Sequence, residues 1–184
     1  MAENRGYTQR YAMLFGTYMG IFWILKFILF PLGLTIPFLL FLFAGLTLGV
    51  PFMGYYYART YRNQVCGGSI SFPHAWVFTV FMYMFASLLT AAAHYVYFRF
   101  LDHGYVVNTV EAMVDAVAQS NLPGMENYIS TYREALEAAR NISPIEIAMQ
   151  MVSSNVTWGA LLALPTALFV MKRKKDEAQQ PRTF

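Results

Sequence analysis

The sequence predicts an all-α integral membrane protein, a four-transmembrane-helix bundle with a two-helix amphipathic extracytoplasmic insertion between helices 3 and 4. Three observations lead there. Residues 11–30 and 36–57 are apolar runs in succession, and Lys26 is the only formal charge between Tyr11 and Ala58. A helix needs ~20 residues to cross ~30 Å of hydrocarbon, so this stretch supplies an antiparallel hairpin of spans. Only 12% of the 184 residues are charged and 57% are hydrophobic, against ~25% charged in a soluble domain. Two more apolar runs, about 73–98 and 146–171, are separated by an acidic segment. Seven of the ten carboxylates (Asp102, Glu111, Asp115, Glu126, Glu134, Glu137, Glu146) lie in residues 101–146.

Residues 1–10 read as a short polar leader with Arg5 and Arg10. The first span is longer than a signal-peptide core, contains Lys26 and meets no small-residue cleavage site, so it is expected to stay in the mature chain. Gly16 and Gly20 sit four apart, a small face on which another helix can approach closely. Pro31 and Gly33 are expected to break the helix, and Pro37 suits the first turn of the second span. That span carries a second small pair, Gly45 and Gly49, and Pro51 with Gly54 predicts a kink or early unwinding near its end. Tyr55, Tyr56, Tyr57 and Tyr61 with Arg59 and Arg62 mark a membrane boundary. Cys66, Gly67, Gly68 and Ser69 follow as a flexible loop. The third span begins near residues 71–74, with Ala86, Ser87, Thr90 and Ala91 as its small face.

In the insertion, residues 101–145, Asn108 and Glu111 have capping-box spacing. Val110, Met113, Val114 and Val117 recur with helical period after them. Leu122, Pro123 and Gly124 make a turn. A second stripe follows in Met125, Tyr128, Ile129, Tyr132, Leu136 and Ala139. The two stripes are expected to pack on each other as a helical hairpin cap. Ser143, Pro144 and Glu146 spell a helix start, with N-cap, first helical residue and reciprocal cap partner. In the fourth span Gly159, Ala163 and Ala167 form a third four-spaced ladder, and Pro165 predicts a kink. The tail, 172–184, is basic and then polar.

Four spans place both ends of the chain on one side. Nine of the 13 lysines and arginines fall there (Arg5, Arg10, Arg59, Arg62, Lys172, Arg173, Lys174, Lys175, Arg182) and three on the other (Arg99, Arg133, Arg140). The positive-inside rule then makes the termini cytoplasmic and the insertion extracytoplasmic. At 1.5 Å per residue Lys26 lies roughly 22 Å from the cytoplasmic edge and Asn155 roughly 24 Å. Both sit in the outer third, beneath the acidic insertion.

Several stretches in order carry a likeness. They are Tyr11-Ala12-Met13-Leu14-Phe15-Gly16-Thr17-Tyr18-Met19-Gly20, then Pro51-Phe52-Met53-Gly54-Tyr55-Tyr56-Tyr57, then Cys66-Gly67-Gly68, Phe72-Pro73-His74-Ala75-Trp76 and Tyr97-Phe98-Arg99-Phe100. Over residues 6 to 172 the chain resembles the family filed as domain of unknown function 4199. The resemblance implies a four-span Bacteroidetes protein of the bacterial inner membrane. It carries over no activity, ligand or catalytic residue.

Lys26 is the first candidate site residue, because an ionisable group within a span is costly. It binds an anion or lipid headgroup, pairs with Asp102 or Glu146, or snorkels to the outer headgroups. His94, Arg99, Asp102 and His103 suit a metal or proton relay in kind, but their spacing matches no known pattern and reads as an interfacial cluster. Ser153, Ser154, Asn155 and Thr157 line a polar cavity or bond to helix backbone. The lone Cys66 excludes an intramolecular disulfide, a CxxC pair and a multi-cysteine zinc site. No nucleophile–base motif, phosphate loop or basic nucleic-acid-binding patch is present. The expectation is a non-enzymatic membrane scaffold or interaction protein without metal or cofactor. Its partners are the bilayer and a second copy or another membrane protein, and nucleic acid is not among them. The alternative is a small transporter or channel subunit for an anion or lipid headgroup, organised on Lys26.

Overall fold

The computed structural model describes residues 2–120 and 122–172, with side chains from residue 7 onward; the basic tail beyond Lys172 lies outside them. Among the described residues there are six α-helices and no strand. They are α1 (Ala2–Gly33), α2 (Pro37–Gln64), α3 (Phe72–Val96), α4 (Tyr105–Gln119), α5 (Glu126–Asn141) and α6 (Pro144–Val170), with one π-helical turn, Tyr97–Leu101, after α3. Four helices are long and apolar enough to cross a membrane: residues Tyr7–Gly33, Pro37–Gln64, Phe72–Leu101 and Pro144–Val170.

The long helices form a ring. α3 packs on α1 and α6, and α2 closes the ring against the same two. α3 therefore carries most of the core, with Ala75, Phe78, Thr79, Met82, Tyr83 and Ala86 buried. α1 meets it with Ala12, Phe15, Met19 and Trp23, spaced three and four apart as one helical face requires. Glycine permits the closest approach. A Cβ on Gly16 would lie 2.7 Å from the Met82 carbonyl oxygen, and one on Gly159 2.8 Å from the Tyr83 Cβ. Gly20, Ala163 and Ala167 extend the same two contacts.

One end of the ring is tied by polar contacts. Thr8 Oγ1 lies 2.9 Å from the Tyr61 hydroxyl and 3.0 Å from His74 Nε2, and Tyr61 lies 3.1 Å from His74. Arg62 donates to the Val170 carbonyl at 2.9 Å, a cation on the free carbonyls at the end of α6. Ile70 and Lys172 exchange backbone hydrogen bonds beside it. At the opposite end the α1–α2 turn meets α4, where Thr35 Oγ1 is 2.6 Å from the Tyr105 hydroxyl.

Several boundaries depart from expectation. The leader is helical from Ala2. Pro31 does not break α1, which runs to Gly33; a proline in a last turn removes a single backbone hydrogen bond. α2 does not unwind at Pro51 or Gly54 but continues to Gln64. Gly54 is a packing position, with the Tyr83 hydroxyl against the space a Cβ would take. α6 is assigned as one helix with Pro165 inside it, as a kinked span would also be. Gly45 and Gly49 do not serve packing within the chain: a Cβ on either would meet nothing within 4 Å.

The capping box at Ser143 forms as spelled. Glu146 accepts from the Ser143 backbone at 2.8 Å while its own N–H reaches Ser143 Oγ at 3.4 Å. The one expected at Asn108 does not, because α4 starts three residues earlier and Asp102 caps it through the N–H groups of Gly104 and Val106. Glu111 pairs with Arg140 and Asp115 with Arg133, so ion pairs join α4 to α5. The apolar stripes of the two helices line a common gap of about 170 Å³, and neither helix has a buried residue.

Candidate functional site

The ring is not filled. A chamber of about 600 Å³ lies among α1, α2, α3 and α6, lined by Trp23, Lys26 and Phe27, by Phe43, Thr47 and Leu48, by Tyr83, Thr90 and His94, and by Met151, Asn155 and Trp158 among others. The first half of α2 touches α1 through Phe43 and Thr47 but is covered on few sides. Residues 37–49 include none that is buried, whereas Val50, Gly54, Ala58 and Tyr61 in the second half are. Phe38, Phe41, Leu48 and Phe52 stay exposed on that helix.

Lys26 points into this chamber. Its ammonium donates to Thr47 Oγ1 at 2.9 Å and stands 4.9 Å from the centre of the Phe43 ring. The Thr47 hydroxyl proton is committed to the Phe43 carbonyl at 2.7 Å. Thr47 therefore accepts from Lys26 and is not deprotonated by it. An ammonium has three N–H donors, and Thr47 uses one. The meeting follows from the hairpin: Lys26 precedes Ile36 by ten residues and Thr47 follows it by eleven, so antiparallel helices bring them level. Thr47 is the sole hydroxyl, amide or charged side chain between Pro37 and Gly54, and that isolation is the signal sequence reading passed over.

Around Lys26 lie buried polar atoms with no partner. His94 is 6% exposed, and neither ring nitrogen has a hydrogen bond. The ring is held by Phe27, whose centroid is 4.0 Å away at 72°. Trp23 Nε1 is also unpartnered, its ring stacked on Tyr83 at 6.0 Å, and the Tyr83 hydroxyl is a third such group. Native proteins rarely leave buried polar atoms unpaired, at about 1–3 kcal/mol each. Three residues that do so line one chamber.

The other expected site residues disperse. Of the polar run in α6 only Asn155 lines the chamber; Ser153, Ser154 and Thr157 are exposed. Arg99 is exposed over Phe100 at 5.8 Å. His103 stands in a positive-φ turn with Nδ1 3.1 Å from the Leu101 carbonyl. Asp102 and Glu146, expected as partners for Lys26, are occupied as caps. Among the described residues no three of His, Cys, Asp and Glu converge as metal ligands, and none of the chamber's lining residues is a carboxylate.

The Thr8–Tyr61–His74 triangle was not foreseen, since its members are up to 66 residues apart and no periodicity links them. Cys66 is half-buried beside it, and burial pushes its thiol above the ordinary value.

Comparison with curated proteins and with solved structures returns no match. The model of the family described as Protein of unknown function (DUF4199) matches residues 14–172, the greater part of the chain, and the chain belongs to that family.

Proposed function

We propose that the chain is a multi-pass protein of the bacterial inner membrane that takes a molecule from the bilayer into the chamber around Lys26, with both termini cytoplasmic and α4–α5 extracytoplasmic. It is a binding protein, as a carrier or channel subunit would be, and not an enzyme. The single observation that carries this reading is the direction of Lys26. A lysine that merely tolerates a span snorkels toward headgroups. This one turns inward, onto Thr47 and Phe43, in a chamber shared with His94 and Asn155. Four helices of spanning length support the membrane setting. The uneven distribution of lysine and arginine supports the orientation.

The scaffold reading keeps one specific support. The small face of α2 with Gly45 and Gly49 is bare, and such faces associate helices within membranes.

Native mass spectrometry of the full chain released from membrane nanodiscs tests the chamber. The wild type is expected to carry a non-covalent small molecule, and Thr47→Phe, which fills the space beside Phe43, to lose it. A wild type that carries none, or a Thr47→Phe protein that carries the same one, overturns the reading.

A further inference from the structure

The chemistry of the chamber wall narrows the class of molecule it takes. The wall is apolar over most of its area, with Phe27, Phe30, Phe43, Leu48 and Leu162 among its side chains. Its polar side chains include Lys26, Thr47, His94 and Asn155, one from each of the four helices. Lys26 brings a formal charge, with two N–H donors beyond the one given to Thr47. His94 brings a buried imidazole whose two nitrogens, one donor and one acceptor, have no partner and are closed to solvent, so a head reaches them only as the ring or Phe27 shifts. No carboxylate among the lining residues balances the lysine. A charge in an apolar wall calls for a counter-charge, and ammonium and imidazole N–H groups both seek acceptors. The complement of this wall is an oxyanion joined to a hydrocarbon.

Size and access fix the rest. A volume of about 600 Å³ is in the range that encloses one compact ligand, ~300–1,000 Å³. That volume holds one chain with its head. Two lining residues, Leu48 of α2 and Trp158 of α6, are 73% and 65% exposed, and we infer from them that the chamber opens between these helices. It opens sideways, toward the acyl chains of the bilayer, on the helix half that no neighbour buries.

We propose that the chamber binds a single-chain amphiphile with an oxyanion head, a fatty carboxylate or a monoacyl phosphate. It enters laterally between α2 and α6, with its head on Lys26 and His94. The proposal rests on the chamber being a binding site, as argued above, and adds the class of its occupant.

The test uses the full chain in phosphatidylcholine nanodiscs and three chain-brominated probes: a fatty acid, a monoacyl phosphatidate and a neutral monoacylglycerol. Bromine quenches Trp23 and Trp158, which line the chamber. The reading is the quenching reversed by excess unbrominated counterpart, which separates binding from partition into the disc. Reversible, saturable quenching is expected from one or both oxyanion probes and not from the neutral one. Which oxyanion saturates names the head. Lys26→Met is expected to weaken it at least ten-fold, the loss of one charge-assisted hydrogen bond. His94→Phe, which keeps an aromatic ring against Phe27, is expected to weaken it several-fold and guards against a fold defect peculiar to the lysine variant. Equal binding of the neutral probe, or unchanged affinity in Lys26→Met, overturns the head assignment and leaves the chamber standing. No reversible quenching by any probe overturns the single-chain class, while the co-purifying molecule of the preceding test judges the chamber separately.

Discussion

Lys26 donates to Thr47 at 2.9 Å across the α1–α2 hairpin, and the Thr47 hydroxyl in turn donates to the Phe43 carbonyl at 2.7 Å. This fixes the direction of every hydrogen bond in the chain from ammonium to backbone. It also makes the two residues separable by mutation. Thr47→Val removes the acceptor and leaves the charge. Interhelical hydrogen bonds within membranes average about 0.6 kcal/mol, and one to a charged donor lies at the upper end, so Thr47→Val is expected to destabilise by about 1 kcal/mol. Lys26→Met removes the charge itself, whose placement in a span costs about 2.5–3.5 kcal/mol on insertion scales. That variant is expected to be at least as stable as wild type in thermal or denaturant unfolding in detergent. A Lys26→Met protein clearly less stable than Thr47→Val would mean that the lysine is held for structure rather than for a ligand.

The fold was legible because its signals are long. Apolar runs of some twenty residues and the cap at Ser143 depend only on local sequence, and the structure has helices where they point. The chamber was half legible. An isolated lysine and an asparagine in apolar runs marked Lys26 and Asn155. His94 was noticed with the wrong neighbours, because its sequence partners Asp102 and His103 turn to α4 and to a carbonyl. The volume itself is bounded by side chains of four helices, and no residue of residues 37–49 announces it. The face of Gly45 and Gly49 is uncovered within the chain: four-residue spacing prepares a face, but does not say whether a helix of the same chain or of another covers it.

The glycine pairs make a sharp contrast. At Gly16 the new methyl of an alanine would press on the Met82 carbonyl and the Phe85 Cβ, at 2.7 and 2.8 Å. Backbone of α3 cannot move aside cheaply, so Gly16→Ala is expected to destabilise by about 1–3 kcal/mol, the usual range for overpacking. Gly45→Ala and Gly49→Ala meet open space, and alanine is the better helix former by about 1 kcal/mol. Both are expected to be neutral to slightly stabilising in unfolding measurements on the monomer. A shift in oligomeric state by either, with monomer stability unchanged, would instead assign that bare face to a second copy.

At the other end of the ring, Tyr61→Phe removes the hydroxyl that lies between Thr8 and His74 and keeps the ring stacked on Phe78 at 4.0 Å. Thr8 and His74 remain 3.0 Å apart and retain each other. The expected loss is therefore small, about 1 kcal/mol. A Thr8→Val, Tyr61→Phe double variant is expected to be non-additive, since both changes cut the same network. Additive losses in a double-mutant cycle would show that the three groups act independently.

Orientation can be read with the chain's own thiol. Cys66 lies in the α2–α3 loop, at the end of the ring tied by Thr8, His74 and Arg62, the end that the proposed orientation puts in the cytoplasm. Glu126→Cys places a second thiol at the exposed start of α5, at the opposite end. A membrane-impermeant maleimide added to intact cells is expected to label position 126 and to spare Cys66 until the membrane is opened. Slow labelling of Cys66 has a second cause, which pH separates from the first. Burial raises its thiol above the ordinary value, and the thiolate is the reacting species, so at neutral pH it reacts more slowly than an open thiol. Raising the pH should accelerate Cys66 in opened membranes by restoring thiolate, and should leave it unlabelled in sealed cells. Rapid labelling of Cys66 in sealed cells at raised pH, with position 126 protected, would invert the topology and move Lys26 from the outer leaflet to the inner one.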